Sequence, residues 1–257
     1  MSVNKQPTLS IIIVSAFDSF RLNKTLDSLL IVAEGLEVII VCPEYDAATR
    51  DLSSSFARNA KYPVRTIFDE NRGIYPAMNL GVVNAGGKYV MFWNSGDLGY
   101  SEQNVANFIL SLRNLSSPWG VVQGEFDWRP PLELNPRNVR RFVFQSGGYI
   151  SHQCVYAEKS KIAELGFFDT KYRVAADTKL ISKLWFNAKP SFIETVVARV
   201  EFPSFSATQQ RTGRIENFKI ALEVLPFPRN VIAIVSAISR EFLYLFRKII
   251  KFLRFSQ

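Results

Sequence analysis

The sequence predicts an α/β fold in which a mixed, mostly parallel central sheet has helices on both faces. Short apolar runs alternate with segments whose apolar residues recur at helical spacing, and this alternation is typical of such a sheet. The runs are apolar along their whole length, as expected for parallel strands that are buried on both faces. With 257 residues, 47% of them hydrophobic, the chain can bury the core of one such domain.

In the N-terminal part of the chain, the pattern of apolar residues predicts strands and helices in strict alternation. Pro43 ends the second strand, and Pro76 occupies the first turn of the third helix, where a missing backbone N–H is tolerated. The predicted elements are strand 9–14, helix 20–32, strand 37–41, helix 47–58, strand 64–68, helix 76–84 and strand 89–93.

The C-terminal part predicts a less regular succession. The helix over residues 159–165 is expected to end at Gly166, because glycine favours the left-handed conformation found at helix ends. Pro130, Pro131 and Pro136 predict an irregular insertion after the strand over residues 120–126. The remaining predicted elements are helix 102–112, strand 149–156, helix 176–186 and strand 192–200.

The cysteine and histidine content restricts the chemistry. Cys42 and Cys154 lie far apart in the sequence and suit a reducing compartment. His152 is the single histidine, so a metal site of the Cys/His type cannot be built. The segment after Met1 lacks the apolar centre of a secretory signal, and we therefore expect a cytoplasmic protein.

The net charge predicts an anionic partner. A charge of +8 and a pI near 9.5 suit nucleic acid, anionic lipid or a substrate that contains a diphosphate. A nucleic-acid-binding protein would spread its basic residues over a face that also displays aromatic rings. Because many basic residues of this chain fall in one C-terminal segment, no nucleic-acid partner is expected.

That C-terminal segment predicts an amphipathic helix. On a helical wheel its basic residues fall on one arc and its apolar residues on the opposite arc. The basic residues are Arg240, Arg247, Lys248, Lys251 and Arg254. Two interpretations remain open: a helix on an anionic membrane surface, or a helix packed on the rest of the protein with its charges in water. The apolar sequence is interrupted by charge, so the segment is not expected to span a membrane.

The stretch from Gly73 to Asp97 is the most informative part of the sequence. A glycine-led turn and a helix are followed by the apolar run at residues 89–93, which ends in Asn94-Ser95-Gly96-Asp97. An acid therefore follows the carboxyl end of a buried strand, the edge at which α/β sheets bind ligands. A carboxylate oxygen there suits a divalent cation that bridges a diphosphate. The alternative is an ordinary polar β-turn.

Together with other segments, this stretch resembles a family 2 glycosyltransferase with the GT-A fold, of the branch that builds bacterial exopolysaccharides of the colanic-acid type. The resemblance covers about residues 8–225. The matching segments are residues 9–14, residues 37–41, Gly73 to Asn79, Asn94 to Asp97, Ser151-His152-Gln153, Phe168-Asp169 and Ala175-Ala176-Asp177.

The resemblance implies a domain organisation and an activity. Residues 1–225 would form a Rossmann-like GT-A catalytic domain, with a donor half over about residues 8–97 and an acceptor half over about residues 98–225. Residues 226–257 would form the amphipathic tail, peripheral on the inner face of the plasma membrane. The implied reaction is transfer of a sugar, with inversion, from a UDP- or GDP-linked donor to a saccharide or lipid-linked saccharide.

The resemblance also implies roles for particular residues. Asp97 would bind Mg or Mn, and Asp177 would be the general base for the acceptor hydroxyl. For Asp177 the alternative is a helix N-cap, a common role for an acid at a helix start. His152 and Gln153 would contact the acceptor. The donor would be bound by Ser15, Asp18, Glu44, Asn79, Asn94 and Asp97. Arg72 is a further donor-binding candidate because its fixed charge suits a diphosphate, and the alternative is an ordinary surface arginine.

Some positions depart from the family pattern. The acid that reads the nucleobase after the second strand is missing, and Glu44 or Asp46 are the candidates to replace it. Pro76 stands where relatives often have an aspartate, and Lys179 replaces a common second acid. A glycine-rich loop is absent near residues 203–206. The alternative function is therefore a catalytically inactive, membrane-docked module of the glycosyltransferase type.

Overall fold

Eight strands form one sheet in the computed structural model, which describes residues 6–30, 34–126, 150–201 and 209–225. The strands are β1 (Leu9–Val14), β2 (Leu36–Pro43), β3 (Val64–Asp69), β4 (Tyr89–Asn94), β5 (Leu98–Gly99), β6 (Trp119–Phe126), β7 (Val155–Glu158) and β8 (Ser191–Val200). The helices are α1 (Ser19–Asp27), α2 (Ala47–Asn59), α3 (Ile74–Asn84), α4 (Glu102–Leu112), α5 (Lys159–Glu164), α6 (Ala176–Asn187) and α7 (Gln210–Val224).

The sheet is mixed and has the order β3-β2-β1-β4-β7-β6-β8-β5. Strands β3, β2, β1 and β4 are parallel to one another, whereas β7 pairs antiparallel with both β4 and β6. The chain moves outward from β1 to β3 and then returns to place β4 on the other side of β1. Ligands bind in α/β sheets at such a reversal of strand order. The predicted α/β fold class is confirmed.

The parallel strands are buried as their composition predicts. In β1, the side chains of Ile11, Ile12 and Ile13 are completely buried, and Trp93 of β4 is equally inaccessible. Val14 pairs with Asn94 in the register between β1 and β4. The residues that follow these two strands therefore emerge side by side at one edge of the sheet.

The opposite edge of the sheet is closed by a buried carboxylate, Glu37. It accepts hydrogen bonds from Ser10 Oγ (2.5 Å), from the backbone N–H of Gly86 (2.7 Å) and from Arg65 Nη2 (2.7 Å). These partners belong to β1, to the turn before β4 and to β3, so one side chain connects three neighbouring strands of the sheet.

Two predicted elements differ from the structure by more than two residues at one end. The helix predicted over residues 20–32 ends at Asp27, and a turn follows in which Leu29 N–H donates to Leu26 O (2.9 Å). The strand predicted over residues 149–156 is wrong in its first part, because Cys154 N–H bonds to Ser151 O (2.9 Å) and closes a 3₁₀ turn. The strand there begins only at Val155.

The irregular insertion, the segment 203–206 and the tail over residues 226–257 lie outside the described residues. In the part of the chain that the structure describes, no helix has the length and apolar character needed to cross a membrane.

Helix α7 is attached to α6 and its preceding loop by charged side chains. Lys179, almost completely buried in α6, places Nζ 2.7 Å from Asp169 Oδ2 and 2.5 Å from Glu223 Oε2 of α7. Lys171 Nζ lies 3.0 Å from the other carboxylate oxygen of Glu223, and Tyr172 Oη donates to that oxygen at 2.7 Å. The residue that departs from the family pattern, Lys179, therefore has a structural role.

This network predicts how acid affects stability. Hydrogen bonds from Lys179, Tyr172 and Lys171 lower the pKa of Glu223 from 4.5 to about 2. Because the folded pKa is the lower one, the network stabilises the fold above about pH 4.5 and loses this contribution as the pH falls to about 2. For the partly exposed Glu223 the contribution is about 1 kcal/mol. In Glu223→Gln the free energy of unfolding should decrease less over this pH range than in the wild type.

Urea unfolding at a series of pH values measures the difference. Glu164→Gln is the control, because Glu164 is exposed and forms its ion pair with Lys161 within one helical turn. The same pH dependence in Glu223→Gln and the wild type would contradict the role given to the network.

Candidate active site

A cleft of about 730 Å³ opens at the carboxyl edge of the parallel strands. Its floor is formed by the residues that follow β1 and β4, and one wall by the turn from Asp69 to Ala77 at the start of α3. The opposite wall includes Thr170, Tyr172, Arg173 and Glu201 from the C-terminal half. The cleft therefore lies at the reversal of strand order between β1 and β4, the place that topology predicts for a ligand.

Asp97 is a buried carboxylate in the floor of this cleft. Its Oδ2 accepts hydrogen bonds from the backbone N–H of Asn94 (2.7 Å) and from Gln153 Nε2 (3.0 Å). Burial raises the pKa of Asp97 to about 6, although both hydrogen bonds act in the opposite direction. The residue is 3% exposed and lines the cleft.

The backbone around Asp97 forms a tight turn. Asp97 N–H donates to Asn94 O (3.1 Å), and Gly96 between them has φ of +100°, a conformation that glycine adopts readily. A Cβ at Gly96 would lie 2.7 Å from both Arg21 Nε and Glu201 Oε2. The interpretation of this segment as a β-turn is therefore correct for the backbone, and the turn directs the Asp97 side chain to the cleft.

Three buried oxygens beside Asp97 have no hydrogen-bond partner among the described residues. They are Ser15 Oγ, Asn94 Oδ1 and Ser95 Oγ, and all three residues line the cleft. Buried polar atoms are normally paired, so an unpaired group of this kind indicates a ligand, an ion or water. Asp97 lines the same cleft as these three residues.

Asp177 lies beside the cleft in contact with His152 and Tyr75. Its Oδ2 is 3.2 Å from His152 Nδ1, and its Oδ1 accepts a hydrogen bond from the backbone N–H of Thr178 (2.7 Å). Tyr75 Oη lies 3.1 Å from Asp177 Oδ1 and 2.7 Å from the backbone carbonyl of Val174. The side chain of Asp177 is 23% exposed, so solvent and ligands can reach it.

Asn94 connects the two acids. Its backbone N–H donates to Asp97, and its side-chain Nδ2 lies 3.4 Å from His152 Nε2. The other ring nitrogen of His152 faces Asp177. A continuous series of contacts therefore runs from Asp97 through Asn94 and His152 to Asp177.

Most of the residues predicted to form the site are brought together, and two are not. Ser15, Asp18, Arg72, Asn94, Asp97 and Gln153 line the cleft. His152 and Asp177 border a small apolar cavity next to it. Glu44 is exposed and does not line the cleft. Asn79 is turned away, because its side-chain amide exchanges two hydrogen bonds of 2.9 Å with the backbone of Phe168.

The N-cap interpretation of Asp177 is wrong, and Asp46 has a capping role instead. The N-cap of α6 is Ala175, which offers no side-chain hydrogen bond, and Asp177 lies in the first turn. Asp46 caps α2 by accepting from Thr49 N–H (3.1 Å), and it also accepts from Phe17 N–H (2.6 Å). It is 4% exposed and does not line the cleft, so it is not available to read a nucleobase.

The structure adds cleft residues that the sequence reasoning missed. Asp69 is an acid at the end of β3, the same signal that identified Asp97, and could have been found in that way. Burial raises the pKa of Asp69. Next to it, Asn71 has a left-handed φ of +52° and donates from Nδ2 to Tyr45 Oη (3.1 Å). Strained backbone of this kind clusters at ligand sites.

Arg173 and Glu201 were missed because no local pattern marks them. Glu201 forms an ion pair of 3.3 Å with Arg21, 180 positions earlier in the chain (201 − 21). Arg72 is paired with Glu70. Among the arginines that line the cleft, Arg173 is the one with no carboxylate partner in the part of the chain that the structure describes.

The chain is similar in sequence to known glycosyltransferases. No protein-family model matches it. A PGL/p-HBAD biosynthesis glycosyltransferase from Mycobacterium tuberculosis is 27% identical over 179 residues, which are 66% of this chain and 67% of that relative.

Solved glycosyltransferase structures share the fold. Residues 1–349 of S. aureus TarS, in complex with UDP-GlcNAc, superpose with a TM-score of 0.67 at 12% identity, over 90% of this chain and 73% of that one. The mannosyltransferase PcManGT from Pyrobaculum calidifontis, in complex with GDP-Man and Mn²⁺, gives a TM-score of 0.65 at 17% identity, over 91% and 69%. At these identities the likeness establishes the fold.

Proposed function

Because the chain is a family 2-like glycosyltransferase with the GT-A fold, we propose that it transfers one sugar, with inversion, from a UDP- or GDP-linked donor to a lipid-linked saccharide. The product would belong to a bacterial surface or exopolysaccharide. One observation supports this proposal above the others: the buried Asp97 in the donor cleft is connected through Asn94 and His152 to Asp177.

The residues around Asp97 fit a divalent cation. The described residues contain no group of three or more His, Cys, Asp or Glu side chains that could hold a metal. Mg²⁺ needs no such cluster, because it is usually held by one or two carboxylates together with substrate phosphates. Asp97, with the unpaired oxygens of Ser15, Asn94 and Ser95, supplies the hard oxygen donors that Mg²⁺ and Mn²⁺ prefer. When bound, the cation would neutralise charge on the departing diphosphate.

Arg173 supports the diphosphate side of the proposal. Its guanidinium is free of acids among the described residues, whereas Arg21 is held by Asp18 and Glu201. An arginine without a partner on a cleft wall can donate two parallel hydrogen bonds to a phosphate. Arg72, paired with an exposed glutamate, is a second cation on the opposite wall of the cleft.

The nucleobase end of the donor falls at Asp69. Uracil presents one ring N–H, and guanine presents a ring N–H with an adjacent amino group; a carboxylate accepts from either. Asp69 lies in the cleft wall, where burial partly shields it from solvent and raises its pKa. Glu44 and Asp46 do not line the cleft. The acid at the end of β3 would therefore replace the base reader that is missing after β2.

On the acceptor side, Asp177 is the proposed general base. As the acceptor oxygen attacks the anomeric carbon, its proton passes to Asp177, and the bond between the sugar and the diphosphate breaks. This single displacement requires no enzyme nucleophile. His152 and Tyr75 hold the carboxylate from two sides, and Gln153 extends from the same 3₁₀ turn into the cleft.

The sequence of the tail supports the membrane part of the proposal. A lipid-linked acceptor requires the enzyme to work at a membrane surface, and a helix with one basic and one apolar arc binds anionic lipid. We place the protein at the inner face of the plasma membrane for this reason.

Substitution of the two acids separates donor binding from turnover. In Asp97→Asn, the metal-dependent thermal shift with UDP- or GDP-sugars should disappear together with turnover. In Asp177→Asn the shift should remain, while turnover falls by about 10²–10⁴-fold, the contribution of a positioned base. Thermal shift with and without Mn²⁺, combined with measurement of released UDP or GDP, checks both.

Asp51→Asn is the control, since Asp51 is exposed and, among the described residues, pairs with its neighbour Arg50 at the surface. An unchanged metal response in Asp97→Asn would place the cation elsewhere. A wild type that binds no sugar nucleotide would favour the catalytically inactive module.

A second prediction concerns the nucleobase. Asp69→Asn removes a charged acceptor and should weaken binding of the preferred nucleotide, UDP or GDP, by about 10–100-fold, the value of a hydrogen bond to a charged group. Binding of ADP, which has no ring N–H on its pairing edge, should be weak in the wild type and unchanged in the variant. Calorimetric titration measures these affinities. Glu70→Gln, one residue away and exposed, is the control, and equal nucleotide affinity in Asp69→Asn and the wild type would exclude the role.

A third prediction concerns the tail. In the full chain, reversal of charge at Lys248, Lys251 and Arg254 should abolish cosedimentation with vesicles that contain phosphatidylserine. The matched control reverses three exposed basic residues of the body, Arg58, Lys61 and Lys189. If both triple variants bind vesicles like the wild type, the tail does not act as the membrane anchor.

A further inference from the structure

The backbone that leads into α6 is held by a carboxylate from a different helix. Ala175, the N-cap of α6, makes no side-chain hydrogen bond of its own. Glu216 of α7 accepts from the N–H groups of Val174 and Ala175 through Oε2 and of Arg173 through Oε1, each at 2.8 Å. Three consecutive donors are thus satisfied by one acid more than forty positions away.

The burial of Glu216 shows that this contact is a defined structural feature. The residue is 8% exposed, and no basic side chain forms an ion pair with it among the described residues. Its charge is balanced by the three N–H groups and by the positive end of α6. A buried carboxylate is costly without such partners, so the position of α7 and the conformation of residues 173–175 are coupled.

The segment of residues 173–175 that Glu216 holds contacts the active site through two of its residues. The side chain of Arg173 lines the cleft, and the carbonyl of Val174 accepts from Tyr75 Oη. The same Tyr75 hydroxyl lies 3.1 Å from Asp177, which follows two residues after Ala175. A shift of the segment would therefore move the phenol and the carboxylate together.

We infer that Glu216 is a positioning residue for Asp177. It touches neither substrate nor reacting atoms; it fixes the loop and the first turn of α6 so that Asp177 meets the acceptor hydroxyl in a reactive geometry. This inference rests on the proposed function of Asp177 as base. A misplacement of about 1 Å in a reacting group can lower a rate about 10²-fold, so a cap on this segment is sufficient to affect turnover.

Glu216→Gln tests the inference in the full chain. The side chain keeps its shape but has one acceptor oxygen instead of two, so at least one of the three N–H groups loses its partner. We expect kcat, measured as UDP or GDP release from the preferred sugar nucleotide, to fall about 10–100-fold. The Kd for the same nucleotide should change by less than about threefold, because the long Arg173 side chain can adjust. Amide hydrogen exchange at residues 173–178 should accelerate.

Glu223→Gln is the matched control on the same helix. It also weakens the attachment of α7, through Lys179, but does not contact the N–H groups of residues 173–175. If Glu216 only contributed to stability, both variants would keep kcat after correction for the folded fraction. Should Glu216→Gln not fold, Glu216→Asp, which keeps the charge but is one methylene shorter, takes its place with a smaller expected loss.

The outcomes distinguish this inference from the proposed function. Loss of kcat in Glu216→Gln and Asp177→Asn, with Glu223→Gln unaffected, supports both. Loss in Asp177→Asn alone overturns the positioning role and leaves the proposed function intact. Equal rates in Asp177→Asn and the wild type, or a wild type without turnover, overturn the base assignment and the positioning role with it.

Discussion

The site depends on one constraint, the burial of the Asp97 carboxylate at the edge of the sheet. Removal from water raises its pKa to about 6, so its charge has to be supported by hydrogen-bond donors. The two donors come from different parts of the chain: Asn94 at the end of β4, and Gln153 in the turn that precedes β7. The antiparallel pairing of β7 with β4 brings these two segments together. The parallel half of the sheet alone would leave the acid with one of its two supports.

The same pairing connects the N-terminal part of the chain to the C-terminal part. Asn94 supports Asp97 through its backbone and contacts His152 through its side chain, and His152 in turn contacts Asp177. If His152 Nδ1 carries the proton toward Asp177, then Nε2 accepts from Asn94, and one neutral tautomer satisfies both neighbours. In the proposed reaction, two residues, Asn94 and His152, therefore connect the acid at the cation to the acid that accepts the proton.

Patterns within single segments predicted most of the N-terminal part of the chain. Periodicity identified the strands and helices up to β4, and the acid after a buried strand identified Asp97. Asp69 also lies at the end of a parallel strand, but it was not among the predicted site residues. The prediction of a strand over residues 149–156 failed because a 3₁₀ turn depends on the Ser151 carbonyl rather than on an apolar pattern. Asn79 belongs to the same sequence motif as residues that line the cleft. Its side-chain amide, however, bonds to the backbone of Phe168, a partner 89 positions away that no local pattern reveals.

Local patterns predicted the N-terminal part of the chain better than the C-terminal part, and this difference has a physical cause. Each parallel strand of the N-terminal part is specified by its own burial, so short stretches of sequence are sufficient to predict it. The C-terminal part is held by charges that meet from distant positions: Lys179 with Glu223, and Glu216 with residues 173–175. Lys179 replaces a common acid of the family. Its role could not be predicted from its own segment, because its partner Glu223 lies in α7. Substitution of Glu216 in α7 can therefore change the geometry around Asp177 while the floor of the cleft, built from the residues that follow β1 and β4, stays as it is.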